Sequence, residues 1–255
     1  MLTIALLMLA AAPFKPTVDE TLSLQKTRGA KACVVHLHRQ EDKAMRVGQR
    51  LYDEGYCINW LHIDTKGKAL PRTVEVKIAP NKSCQGDPNR MFSERGLRDS
   101  AFKSAGCADK QKAIPALRAF ATKLQDLLGA CRLGAKKLPI LALHNNSSMK
   151  AADVRPPEPV GAATGLFKNP EQGHGLQQNF FVATTKSDFL ALRKSFNVLL
   201  QKKSMAFDDD DGSLSVVYRS ARYLNLESRL DKNDADQLEM ARKALELFGV
   251  RKDCN

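Results

Sequence analysis

Apolar residues along this chain fall into two recurring patterns: short unbroken runs, and longer stretches with apolar positions three or four apart. The first suits a strand buried in a sheet and the second a helix laid against it. Residues 31–37 (Lys-Ala-Cys-Val-Val-His-Leu) form the first run. Residues 41–54 follow with Ala44, Val47 and Leu51 on one helical face, and Gly55 closes that helix. Strands are predicted at 56–63 and 73–79, the second alternating Val74, Val76 and Ile78. The Asn-, Ser-, Gly-, Asp- and Pro-rich residues 80–90 read as a loop. A long helix fits 111–131, with Ile114, Leu117, Leu124, Leu127 and Leu128 inward and Pro115 in its first turn. Leu138–Leu143 is the next strand, and the proline- and glycine-rich segment 145–176 reads as one long loop. Beyond it the pattern predicts a strand at 179–184, a helix at 186–196 and strands at 197–201, 214–218 and 222–227. A final helix over 232–248 is closed by Gly249, with Leu238, Ala241, Leu245 and Phe248 inward. Strands and helices alternating in this way predict one α/β domain with a mixed, mostly parallel sheet flanked by helices.

Composition adds location. Residues 1–12 are apolar, end in alanines and are too short to span a bilayer, which takes ~20 residues. They read as a signal peptide, leaving 13–255 as one catalytic domain in the periplasm or outside the cell. Cys33, Cys57, Cys84, Cys107, Cys131 and Cys254 form an even set without a Cys-x-x-Cys pair. Such a set suits disulfides in an oxidising compartment, in a pairing that spacing does not choose. The net charge of +12 favours anionic partners. Aromatic residues do not alternate with the basic ones, so a base-stacking nucleic-acid surface is not expected. No transmembrane segment is expected, and the oligomeric state is not legible.

The candidate chemistry lies where apolar runs end. His38 and Glu41 follow the first strand, and His144 ends another. Two imidazoles and a carboxylate are a set that holds a catalytic zinc while leaving a position open to water. In open α/β sheets, groups at the carboxyl ends of strands converge, which would gather His38, Glu41, His144 and Glu227. Glu227 ends the apolar run Tyr223–Leu226, where a carboxylate suits a general base rather than packing. Arg90, beside Asn89, could clamp a substrate carboxylate in bidentate fashion. His36 shares a strand face with His38 but has no carboxylate at the right spacing, and His62 and His174 read as ordinary strand and loop residues.

These motifs resemble the zinc carboxypeptidase superfamily, nearest the branch of aspartoacylase and succinylglutamate desuccinylase. His38-x-x-Glu41 resembles its first metal motif, Leu143-His144-Asn145 its second, and Asp87-Pro88-Asn89-Arg90 its substrate motif. The resemblance implies one zinc ion per chain on His38, Glu41 and His144, with Glu227 as catalytic residue. It also implies substrate contacts from Asn89, Arg90 and Asn145. Such proteins carry an upstream arginine that polarises the scissile carbonyl; none matches clearly here, and Lys82 is the candidate. Arg39-Gln40 replace the usual Gly-Asn between the first His and Glu. The implied function is an exported hydrolase of amide or peptide bonds, acting on a substrate with a free carboxylate such as a cell-wall peptide. The alternatives are an N-acyl amino acid deacylase and a non-catalytic binder of anionic peptide or wall polymer.

Overall fold

A computed structural model describes residues 14–64, 72–102, 107–147, 163–164, 178–201, 210–230 and 233–254. The proposed signal segment 1–12 lies outside them, as does His174. Along the chain run β1 (Thr17–Val18), β2 (Leu22–Gln25), β3 (Ala32–His36), α1 (Asp42–Asp53) and β4 (Ile58–Ile63). Next come β5 (Val74–Ala79), β6 (Lys82–Gly86), a π-helical turn (Gly96–Ser100), α2 (Lys110–Cys131) and β7 (Ile140–Asn146). They are followed by β8 (Ala163–Thr164), β9 (Phe180–Ala183), α3 (Lys186–Leu192) and β10 (Asn197–Gln201). The last elements are α4 (Leu214–Val217), β11 (Tyr223–Arg229) and α5 (Ala235–Leu247).

Eight strands form one mixed sheet in the order β2-β4-β3-β7-β11-β9-β10-β8, parallel through its middle from β4 to β11. Alternation along each strand divides the core. Cys33, Val35, Ile140, Ala142 and Tyr223 face α2, whereas Val34, Leu141, Leu143, Leu224 and Leu226 face α1, α3 and α5. The predicted sheet with helices on both faces is therefore present. α1 reaches the sheet closely because its centre is Gly48: a Cβ there would stand 2.2 Å from the Trp60 ring. Glycine costs a helix interior about 1 kcal/mol relative to alanine, and here the ring needs the space.

Several elements differ from expectation. Residues 82–86 are strand β6, not loop. They pair antiparallel with β5 and join β1 in a separate three-stranded sheet packed on α2. Cys84 faces the core and is bonded to Cys107, so cross-strand pairing and a disulfide outweigh the loop-like composition. Residues 214–217 are a helical turn, not a strand. Ser213 N–H donates to Asp211 Oδ1, and this local turn begins a helix whose Leu214 and Val216 are buried. Pro115 sits at the sixth residue of α2, where its missing N–H forgoes the bond to Gln111 C=O. Of the 145–176 segment, Asn145 and Asn146 prolong β7 and Ala163–Thr164 pairs with β10. Residues 148–162 and 165–176 lie outside the described residues.

The cysteines lie in three disulfides, Cys33–Cys131, Cys57–Cys254 and Cys84–Cys107. The first ties β3 to the end of α2 across a sequence separation of 98 residues. In the chain-entropy account, closing a loop of that size is worth roughly 4–5 kcal/mol.

Candidate metal centre and active site

β3 ends at His36, and the chain then turns so that Glu41 N–H donates to His38 C=O at 3.0 Å. Glu41 is the N-cap of α1, where a carboxylate is favoured by the helix dipole. This turn sets His38 Nδ1 at 2.8 Å from Glu41 Oε1. His144, in β7, brings its Nδ1 to 3.2 Å from Glu41 Oε2 and 3.1 Å from His38 Nδ1. All three side chains are buried, and one ligand atom from each lies within 4.8 Å of the others.

These spacings fit a metal ion. Tetrahedral N/O bonds of ~2.0–2.1 Å place neighbouring ligand atoms about 3.3 Å apart, and the observed separations are 2.8, 3.1 and 3.2 Å. Two imidazole nitrogens and both oxygens of one carboxylate converging on one buried point is otherwise a costly arrangement. His38 Nε2 lies 3.0 Å from Asp87 Oδ1, an acceptor that would keep a proton on Nε2 and leave the Nδ1 lone pair to a bound ion. Burial opposes charge on His38, but the Glu41 and Asp87 carboxylates outweigh it and hold its pKa up at about 9. Burial likewise opposes ionisation of Glu41, and His38 and His144 reverse this, keeping its carboxyl well below the usual range. Asp87→Asn replaces the acceptor with an amide of the same shape. Metal affinity, measured by chelator competition, is expected to fall about 10–100-fold.

Glu227 stands beside His144 in register, β11 on β7, with both side chains on the α2 face of the sheet. Its Oε1 accepts from Asn225 Nδ2 at 3.1 Å and its Oε2 from Asn146 Nδ2 at 3.4 Å. Burial raises its pKa; Glu41 adds to the rise, and His144 opposes it. Glu227 opens onto a cavity of about 170 Å³ that Arg72, Asn89, Arg90, Asp211 and Tyr223 also line. Two larger clefts, of about 570 and 660 Å³, hold none of these groups.

Within this cavity Arg90 Nη1 donates to Asp211, and Asn89 Oδ1 accepts from Leu214 N–H at 3.1 Å. The segment bearing Asp211 is pressed onto Arg90. Gly212 has φ +73°, and a Cβ there would meet Arg90 O at 2.4 Å. Phe92 N–H donates to Gly212 C=O at 3.0 Å.

Two residues expected here lie elsewhere. Asn145 follows His144 by one position, so its side chain takes the opposite face of β7. There it accepts from Ala44 N–H and donates to Gln237 Oε1, joining α1 to α5. Lys82 is exposed at the start of β6, beside the 660 Å³ cleft with Ile78, Cys84 and Lys112. Among the described residues, the cation placed against the candidate ligands is instead Arg72, just before β5. Its Nη1 donates to Glu41 Oε1 at 3.0 Å, and its Nε lies 3.9 Å from Asp87 Oδ2. No local pattern marks Arg72 among 40 Lys and Arg residues. His36 faces away from the centre toward Trp60, and burial takes its pKa down to about 3.

No protein-family profile matches the chain, nor does any curated protein. Three solved structures are similar to it. The product-bound ectoine utilization protein EutE (DoeB) from Ruegeria pomeroyi shares 15% identity at a TM-score of 0.45, over 91% of this chain and 61% of its own. A succinylglutamate desuccinylase from Silicibacter sp. TM1040 shares 15% identity at 0.44, over 91% and 61%. The tripeptide-bound cell shape determinant Csd4 from Helicobacter pylori shares 11% identity at 0.44, over 92% and 57%. The chain thus spans about three fifths of the length of these proteins, and the likeness is one of fold.

Proposed function

We propose that this chain is an exported zinc-dependent hydrolase of amide or peptide bonds, acting on a substrate that ends in a free carboxylate. The observation that carries this reading is the convergence of His38, Glu41 and His144 on one buried point beside the Glu227 carboxyl. A zinc ion held by the three ligands would supply a Lewis acid and bring the pKa of water toward ~7. Glu227, raised by burial, takes the proton of the attacking water and delivers it to the leaving nitrogen. Arg72, placed against Glu41, donates to the carbonyl oxygen as negative charge develops there. Arg90 takes the substrate carboxylate in place of Asp211, with Asn89 beside it. Asp87 holds the proton on His38 Nε2 throughout. Three disulfides and the apolar residues 1–12 support export.

The cavity favours a second reading. At about 170 Å³ it is small, and an N-acyl amino acid is as compatible with it as the terminal residue of a peptide. One panel separates the readings: zinc-loaded protein with peptides ending in a free acid, the same peptides amidated, and N-acyl amino acids. Amidation is expected to lower kcat/KM by about 10–100-fold, the worth of a hydrogen-bonded charge. Turnover confined to N-acyl amino acids would select the deacylase. Equal turnover of acid and amide would remove Arg90 from carboxylate binding. No turnover at full zinc occupancy would leave a binding protein.

A further inference from the structure

β3, β4, β7 and β11 run parallel, so their beginnings share one end of the sheet while the metal centre occupies the other. Short backbone hydrogen bonds tie the loops at the beginning end side by side. Cys57 N–H donates to Arg251 C=O at 2.9 Å and Lys31 N–H to Cys57 C=O at 2.7 Å. Cys33 N–H donates to Pro139 C=O at 2.9 Å, and Ile140 N–H to Arg222 C=O at 3.0 Å. The disulfides Cys57–Cys254 and Cys33–Cys131 fasten the same loops.

This rigid end is strongly basic. Lys26, Arg28, Lys31, Lys136, Lys137 and Arg251 are all exposed there, and among the described residues none of the six is in an ion pair. Its carboxylates are largely spent: Glu54 is held by Arg50, Arg242 and Lys252, and buried Asp188 by Arg222. Asp53 and Asp253 remain exposed. At the crest of the turn from Arg132 to Leu138 stands Leu133, 74% exposed, the barest large apolar side chain among the described residues. It is flanked by Arg132, Lys136 and Lys137.

We propose that this end of the sheet docks on the surface of an anionic phospholipid bilayer. The cations meet the headgroups, and Leu133 enters the headgroup–acyl boundary. Charge alone would suit any polyanion, but Leu133 gains only from a partner that also offers an apolar medium. Flexible lysine stems let the ammonium groups stay at headgroup level while the leucine goes deeper. A protein seated this way turns its metal centre away from the bilayer, by about 23 Å for a seven-residue strand such as β7.

The test is co-sedimentation of the mature, disulfide-bonded protein, residues 13–255, with phosphatidylcholine vesicles, with and without phosphatidylglycerol. Binding is expected only with the anionic lipid and is expected to weaken with salt. Each cation near such a surface is worth about five-fold in partitioning, so K136E/K137E is expected to lower binding by at least about 25-fold. Leu133→Ser is expected to lower it by roughly five- to ten-fold. All three positions are exposed, so the thermal transition of each variant should match that of the parent. Absence of vesicle binding overturns the proposal. Vesicle binding indifferent to Leu133→Ser, or capture of soluble heparin in preference to vesicles, also overturns it in favour of a polyelectrolyte site.

Discussion

Glu227→Gln is expected to leave metal content unchanged and to lower kcat by about 10²–10⁴-fold, the usual worth of a positioned general acid–base. The substitution keeps the side chain's shape and touches none of the three candidate ligands, so metal analysis on the same sample separates lost chemistry from a lost site. Stability should not fall. Folding raises the pKa of this carboxyl, so the native state holds its ionised form less well than the unfolded chain does. A neutral amide removes that cost, and the thermal midpoint is expected to stay level or rise. The same shift fixes the sign of the pH profile. The base must be ionised, so kcat/KM climbs as pH rises through a value above the ordinary glutamate range of about 4.3. The Gln variant's residual rate should lack that limb. Turnover equal to the parent's would take Glu227 out of the reaction.

His144→Ala should act earlier, on the ion itself. It removes one of three candidate ligand atoms and leaves His38 Nδ1 and Glu41 with Arg72 at their side. Loss of affinity is expected to exceed the ~10–100-fold seen when only an outer hydrogen bond is removed. Metal should then fail to co-purify and turnover should fall to background. Added imidazole, filling the vacated volume, should restore part of both. A full equivalent of metal retained by this variant would dismiss the ligand set.

The clustering of His38, Glu41 and His144 was legible because imidazole is scarce, with five histidines in the chain, and because His38 and Glu41 lie three residues apart at a strand-to-helix turn. Glu227 stood out as a carboxylate after an apolar run, although the strand continues past it to Arg229. The core helices and parallel strands also followed from spacing, since one buried stripe or run specifies each. What failed depended on tertiary pairing. β6 has loop composition, and only its partner strand and the Cys84–Cys107 bond make it a strand. Lys82 was chosen by its distance along the chain from Arg90, but the β5–β6 hairpin carries it to another cleft. Asn145 was taken from the resemblance as part of the His144 motif, yet neighbours on a strand take opposite faces. Arg72 was invisible because nothing local distinguishes one surface arginine from another. Its meaning arises only where the chain before β5 crosses Glu41. Asp87 was read only as part of a motif, and its bond to His38 Nε2 required the end of β6 to meet the β3–α1 turn.

Because Glu41 is both a candidate ligand and the residue that starts α1, its carboxylate is coupled to a whole helix. Two turns further on, that helix rests on the flat of an indole with no room for one added methyl group. Crowding this distant seat would tilt the rod and drag its charged tip off the centre, so a packing fault far from the chemistry would surface as weakened metal retention.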